Sequence, residues 1–305
     1  MKQTEGHGIK DIICPNCNSS LVEEYVSTKD FFLTQESFTI YTCLSCKVLF
    51  TYPFPEPEVL YAKYYKSENY LSHNKKSSDL FSLAYRLVQK INIRMKRGVV
   101  ERFNSTRENK ILEVGAGTGD FLASCKGKRW KCFGVEPSDK ARAVAQEFNK
   151  LTLFSSLNDI QEKDFSVITL WHVLEHIPNL NETIIKLKNI LSENGCIIIA
   201  VPNHNSFDAK HYKQYWAGYD VPRHLYHFNR ESLIVIMQAN GFQLRKIKPM
   251  IFDSFYVSLL SEKYIRNRFI FNYIIGGMIG LISNISALFT NEHSSLIFIF
   301  KKKSN

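Results

Sequence analysis

The chain has no apolar leader. Its opening, MKQTEGHGIKDIICPNC, is polar from the first residue, so no secretory signal is expected and a cytoplasmic, reducing location is the expectation. Cysteines are few, seven in 305 residues, and in such a compartment they are not expected to pair as disulfides. Compositional disorder is excluded too. Charged residues make up 22% and hydrophobic ones 45%, a balance that suits one ordinary globular domain with a small appendage. Acids are the scarcer sign, 29 against 39 bases, for a net charge of +10. That excess permits an anionic partner such as a nucleotide, a nucleic acid or a membrane surface, and suits a plain solvated surface equally well. No basic and aromatic RNA motif accompanies it, so a nucleic-acid partner is disfavoured.

Four of the cysteines are grouped. Cys14 and Cys17 form CPNC, and Cys43 and Cys46 form CLSC. Two such knuckles place four thiolates around one tetrahedral Zn²⁺, and with no histidine or carboxylate in the set no coordination position stays open. The expectation is a structural zinc held by Cys14, Cys17, Cys43 and Cys46, in a ribbon whose strands lie between Leu21 and Ile40. Residues 1–55 are assigned to this module. It caps the fold, walls the substrate site or touches RNA; the sequence leaves these open. Cys125, Cys132 and Cys196 are scattered and are read as ordinary cysteines.

Residues 56–105 read as a linker and helical region. TYPFPEPEVL carries Pro53, Pro55 and Pro57 and suggests an extended connection, and a tyrosine-rich stretch over 61–70 follows it. Ser78 to Phe103 has helical spacing, with Leu80, Leu83, Leu87 and Ile91 on one face and Arg86, Lys90, Arg94, Lys96 and Arg97 on a solvated basic side.

From residue 106 to 305 short apolar runs alternate with helical ones. ILEV, KCFGVEP, LTLF, FSVITLW, GCIIIAVPN, FQLRKIKPM and SSLIFIFKK are the strands. Helices are expected from Asp120, after Ser138 as N-cap, over Asn181–Leu191, and over Arg230–Asn240 with Gly241 at the C-terminal end. This is an α/β class, a doubly wound, Rossmann-like, seven-stranded parallel sheet, with ligands at the carboxyl ends of its strands.

The first strand runs into KILEVGAGTGDF, with Gly115, Gly117 and Gly119 in the turn. Such glycines let backbone N–H groups approach a ligand closely. Glu136 ends the second strand 21 residues after Gly115, the distance of an acid that takes a ribose diol. The third glycine of a dinucleotide fingerprint is missing: position 120 is Asp. An acid there suits a cationic ligand with an amino group and a sulfonium better than a pyrophosphate.

LEVGAGTGDF followed by FGVEPS resembles the first two motifs of the class I S-adenosylmethionine-dependent methyltransferases. DFSVITLWHVLEHIPN is similar to the family's later strand motif beside the reaction centre. VPRHLYHFNRESLIVIMQANGF resembles a bacterial small-molecule group that also carries an N-terminal four-cysteine zinc ribbon. The resemblance implies S-adenosylmethionine as cofactor. It gives Glu113 a place near the methionine amino group, sets Gly115, Gly117 and Gly119 against the methionine part, and sets Asp120 in the same loop. It gives Glu136 the ribose, followed by Pro137, and Leu157 the adenine, with Asn158 or Asp159 near its amino group. Trp171 and His172 then face cofactor and acceptor. His172 and His224 are the candidates for a general base, with the choice between them open. Glu175 and His176 are read as braces of their loop, His227 as packing beneath it, and Tyr215, Trp216 and Tyr219 as either an aromatic wall or core.

Charge is absent from Phe269 to Phe289, 21 residues that include Gly276 and Gly280 in a G-x-x-x-G. A single span would put the last strand on the wrong side of a membrane, so the expectation is a helical insert over about 253–290 before that strand. Peripheral membrane contact through 266–303 is expected with it, aided by Arg266, Arg268 and Lys301 to Lys303. The leading function is methyl transfer to a small-molecule acceptor: a sugar, nucleotide sugar or lipid-linked intermediate. The alternatives are an RNA methyltransferase using ribbon and basic helix, and a non-catalytic cofactor-binding scaffold.

Overall fold

The structure, a computed structural model, describes residues 12–65, 80–104, 109–127, 129–265 and 269–303. The tyrosine-rich stretch beyond Tyr65, Arg266 and Arg268 lie outside the described residues, as do the side chains of Leu80, Leu83, Arg86 and Leu87.

The N-terminal segment forms three antiparallel strands, β1 (Val22–Lys29), β2 (Ser37–Cys43) and β3 (Leu49–Tyr52). Phe38, Ile40, Leu49 and Phe50 are its buried apolar residues. A short helical turn over 57–64 leads toward α1 (Leu80–Phe103).

The remainder alternates as β4 (Lys110–Val114), α2 (Asp120–Cys125), β5 (Lys131–Val135), α3 (Asp139–Asn149), β6 (Phe165–Trp171), α4 (Leu180–Ile190) and β7 (Leu191–Pro202). Then come α5 (Phe207–Tyr212), β8 (Tyr226–His227), α6 (Arg230–Ala239), β9 (Phe242–Pro249), α7 (Asp253–Ile265), α8 (Phe269–Thr290) and β10 (Ser295–Lys302). Ser138 caps α3 by accepting from Ala141 N, and Gly241, at φ 77°, follows α6 in the left-handed region glycine favours.

The main sheet runs β5-β4-β6-β7-β10-β9. β6, buried at every position, is its centre, as a strand covered on both faces must be. On β7 the alternation splits the layers. Ile197, Ile199 and Val201 join the core beneath α4 and α6, and Cys196, Ile198 and Ala200 join the core beneath α1 and α2.

Two expectations need correction. The segment LTLF forms no strand; it touches the sheet at one parallel bridge, Val135 to Phe154, so the main sheet has six strands among the described residues. Thr152 and Phe154 are exposed, so only one side of this edge segment has anything to pack against. The sheet is also not wholly parallel, because β10 is antiparallel to β7 and β9. The reason lies in the insert. Two helices, α7 and α8, carry the chain out and back, so β10 starts at the edge where β9 ended.

Gly276 and Gly280 face α7. A Cβ there would meet the Leu259 backbone at 2.9 Å and the Phe255 backbone at 2.8 Å. The G-x-x-x-G motif therefore closes this hairpin internally. The outer stripe of α8, with Phe271, Ile274, Met278, Leu281, Ile285 and Leu288, is exposed. Lys301 pairs with Cys196 while Ser295 pairs with Pro202, so β10 carries Lys301 to Lys303 to the sheet edge opposite the one where α8 hands over.

The ribbon is not a detached appendage. β3 pairs with β8, which lies in the PRHLYHF segment, through Leu49–His227 and Phe50–Tyr226. Arg223, fully buried, reaches Asp30 in the ribbon at 2.8 Å and Asp220 in its own loop at 2.6 Å. Thr51 Oγ1 donates to the His224 carbonyl at 2.7 Å.

Candidate active site

The glycine loop leaves β4 with Gly115, Gly117 and Gly119 at φ 69°, 54° and 77°, values that side chains with a Cβ rarely adopt. Gly115 has Val173 against it, where a Cβ would come within 2.4 Å, while at Gly117 nothing lies within 4 Å of a Cβ position. The loop thus has a packed side and an open side. Glu136 reaches the open side: its Oε2 accepts from Gly117 N at 2.8 Å and its Oε1 from Ser138 N at 2.9 Å. Asp120 braces the loop, accepting from Thr118 Oγ1 at 3.0 Å and Asn149 Nδ2 at 3.1 Å.

Glu113 is buried at the end of β4, and its Oε2 has no hydrogen-bond partner. Burial pushes its pKa up to about 8; Lys96 opposes the rise, and Glu136 and Asp120 add to it. A buried carboxylate with one oxygen unbonded, next to an open glycine turn, fits a ligand that brings a cationic amino group. Pro137 is exposed beside Glu136, and its carbonyl accepts from Arg142 Nη1 at 2.8 Å. Leu157 is half-buried in a short helical turn. Asp159 is consumed by its capping box with Ser156, and Asn158 bonds Lys186.

Lys96 is a residue the sequence reading misplaced. Its ammonium lies 5.0 Å over the Trp171 ring and interacts with Glu113 and Asp253, and burial lowers its pKa. The signal was present: Lys96 lies three and four residues before buried Val99 and Val100, on the helix face that packs inward. Trp171 itself is buried against Phe121, edge to face with centroids 5.7 Å apart.

His172 follows β6 with φ 56°. Its Nε2 lies 2.9 Å from Asp253 Oδ2 and its Nδ1 3.5 Å from Glu175 Oε1. Burial pulls the imidazole pKa down, but the bond to Asp253 and its charge, and then Glu175, outweigh it and raise it to about 9. That environment favours the cationic ring at neutral pH, bonded to Asp253 and facing Glu175 as an ion pair, and the cation has no lone pair to take a proton. Asp253 carried no sequence signal of its own.

A second cluster adjoins it. His224 Nδ1 lies 2.9 Å from the Gly218 carbonyl, and the His176 and His224 rings meet at 4.6 Å between centroids. His176 Nδ1 lies 2.9 Å from the Arg223 carbonyl; burial, then His224, lowers its pKa to about 4. His227 packs within the fold, 3.0 Å from Thr51 Oγ1. Of the three expected aromatics, Trp216 and Tyr219 are buried core, and Tyr215 lines a cleft of about 600 Å³ with Tyr41 and Tyr52 of the ribbon.

The four ribbon cysteines meet. Cys14 and Cys46 sulfurs are 3.7 Å apart, Cys17 and Cys43 are 3.5 Å apart, and all four lie within 4.8 Å of one another. A tetrahedron of metal–sulfur bonds of about 2.3 Å has edges of about 3.8 Å, so the set fits one cation.

Comparison with known proteins agrees with this geometry. The chain matches the family described as "Methyltransferase domain" over residues 88–247. An uncharacterized methyltransferase of Staphylococcus carnosus is 31% identical over 114 residues, 36% of this chain and 54% of that protein. A ubiquinone biosynthesis O-methyltransferase of Glaesserella parasuis is 27% identical over 119 residues, 35% of this chain and 50% of that protein. The chain thus spans about half the length of these curated relatives. Among solved structures, the Haemonchus contortus phosphoethanolamine N-methyltransferase 2 in complex with S-adenosyl-L-methionine superposes with a TM-score of 0.50 at 16% identity, covering 93% of this chain and 69% of that one. The matched segment takes in the glycine loop, Glu136, β6 and the PRHLYHF segment; the chain belongs to the methyltransferase-domain family, with the class I S-adenosylmethionine-dependent fold.

Proposed function

We propose that the chain transfers the methyl group of S-adenosylmethionine to a small-molecule acceptor: a sugar, a nucleotide sugar or a lipid-linked intermediate. The observation that carries the cofactor reading is the buried Glu113 carboxylate, whose Oε2 has no hydrogen-bond partner, beside the open side of the glycine loop. Glu113 takes the amino group, Gly115, Gly117 and Gly119 let the backbone close on the methionine part, and Asp120 holds that loop in shape. Glu136 accepts the ribose hydroxyls, and Pro137 and Leu157 border the adenine. Trp171 closes the site from β6. The cofactor supplies an already activated methyl, so the protein's task is alignment and exclusion of water. His172, held as a cation, orients and stabilises charge; removal of an acceptor proton falls to His224 or solvent. The name of the Glaesserella relative supports an acceptor of small size with an oxygen to methylate. We assign a structural zinc to Cys14, Cys17, Cys43 and Cys46.

Cofactor binding tests the reading. Glu136→Ala is expected to weaken S-adenosylhomocysteine binding at least about tenfold by calorimetry, the worth of about one lost charge-assisted hydrogen bond. Unchanged affinity would overturn the assignment.

A second reading, contact with a bilayer surface, is favoured by the exposed apolar stripe of α8, where Leu288 and Phe289 are 74% and 84% exposed. The helix carries no charge along its length, so this stripe offers the bilayer apolar area alone. Sedimentation with phosphatidylcholine vesicles should carry the protein down, and Leu288→Glu with Phe289→Glu should release it; no sedimentation at any lipid concentration would refute the reading.

A further inference from the structure

Glu175, His176 and His224 form a cluster of which the methyl-transfer reading uses His224 at most. Glu175 is 1% exposed, and neither of its carboxylate oxygens has a hydrogen bond. The His172 ring is an ion-pair partner at 3.5 Å, too long to satisfy it as a hydrogen bond, so this buried carboxylate keeps accepting capacity where two half-buried histidines offer ligand atoms. One atom from each of the three residues lies within 4.8 Å of the others.

The two imidazoles are pre-set. His224 Nδ1 is 2.9 Å from the Gly218 carbonyl, and His176 Nδ1 is 2.9 Å from the Arg223 carbonyl, with the Tyr65 hydroxyl equally close. Donation from Nδ1–H to a carbonyl fixes the tautomer and leaves the Nε2 lone pair outward, the arrangement metal-ligating histidines use. The backbone laces the two loops together, with Leu225 N donating to the Glu175 carbonyl at 2.8 Å. The ribbon holds the second loop in turn, through Thr51 on the His224 carbonyl and through the Arg223–Asp30 pair.

We propose that Glu175, His176 Nε2 and His224 Nε2 bind a divalent first-row transition cation, distinct from the metal of the four cysteines. Two imidazoles and one carboxylate suit such an ion and leave coordination positions open. Glu175 also stands 3.5 Å from His172, so the ion adjoins the acceptor side of the site. An open position there binds an acceptor oxygen and makes its hydroxyl a stronger acid, which releases its proton to water. This deepens the methyl-transfer reading: the acceptor is then an oxygen nucleophile, and His224 is a ligand in place of a base.

The test uses the full chain with its cysteine site loaded with zinc, titrated with Co²⁺ in the absence of cofactor and acceptor. The expected result is about one Co²⁺ per chain, with visible d–d bands and no thiolate charge-transfer band in the near ultraviolet. Glu175→Gln and His224→Ala should each weaken uptake at least about tenfold while zinc content and S-adenosylhomocysteine binding persist. Absence of Co²⁺ uptake by the wild-type chain, uptake only with the thiolate signature, or uptake unchanged in both folded variants would each overturn the proposal. Because the readout needs no turnover, failure of the metal site and failure of the methyl-transfer reading are separately visible.

Discussion

His172 Nε2 stands 2.9 Å from Asp253 Oδ2, tying the end of β6 to the first turn of the helix that opens the C-terminal insert. The insert thus anchors on the residue that follows β6. His172→Ala and Asp253→Asn are each expected to lower kcat about a hundredfold while leaving cofactor affinity within about threefold. Because they break the same contact, the double variant should fall little further, with a coupling of about 1–3 kcal/mol. Strict additivity would show that the pair does not act as a unit.

Glu113 gives a pH dependence. Its folded pKa is raised, from the ordinary 4.5 to about 8, chiefly by burial. A raised carboxyl favours the fold while protonated. Its contribution is therefore fully present below pH of about 4.5 and is lost as pH climbs toward about 8, over which range the unfolded chain is already ionised. The ligand-free protein should lose a few kcal/mol, as an order of magnitude, across that window by urea unfolding. Glu113→Gln should flatten the slope and weaken cofactor binding. A slope unchanged in the variant would assign the effect elsewhere.

The ribbon should matter at a distance. Zinc removal by a chelator, or Cys14→Ser, is expected to lower kcat/KM several-fold with cofactor affinity retained, because β3 and Asp30 hold the loop that carries His224. Metal analysis should return about one tightly held zinc per chain before treatment. Arg223→Leu strands buried Asp30 and half-buried Asp220 and should cost about 3–5 kcal/mol of stability. Full activity in the zinc-free protein would contradict the coupling.

The insert offers a contrast between neighbouring glycines. At Gly280 a Cβ meets the Phe255 backbone at 2.8 Å, whereas at Gly277 it meets nothing within 4 Å. Gly280→Ala should destabilise by about 1–3 kcal/mol through overpacking. Gly277→Ala should stabilise by up to about 1 kcal/mol through helix propensity. Equal effects in thermal unfolding would mean the hairpin is looser than described.

Much of this was legible in the sequence, and the failures have physical causes. The glycine loop, Glu136, the Ser138 cap and the cysteine pairs are local patterns in which spacing alone fixes geometry. LTLF misled because an apolar run at a sheet edge needs a pairing partner that composition does not reveal. The antiparallel β10 follows from the hairpin insert, a tertiary fact, and the same pairing carries Lys301 to Lys303 away from the helix they follow in sequence. Lys96 was legible in principle, as a charge in register with Val99 and Val100. Asp253 was not: a carboxylate that opens one helix gains its meaning only when another strand brings His172 to it. The meeting of Glu175 and His176 with His224 was not legible either, because His224 arrives from a loop 48 residues beyond His176 and held by the ribbon.

The central claim is methyl transfer at this site. Its most direct test is incubation of the zinc-loaded protein with methyl-labelled S-adenosylmethionine and fractionated bacterial small-molecule and lipid extracts. The account predicts a labelled low-molecular-weight product, with S-adenosylhomocysteine formed in equal amount, and loss of both in Glu136→Ala. Tight cofactor binding with no labelled product from any fraction would contradict it and leave a binding scaffold in its place.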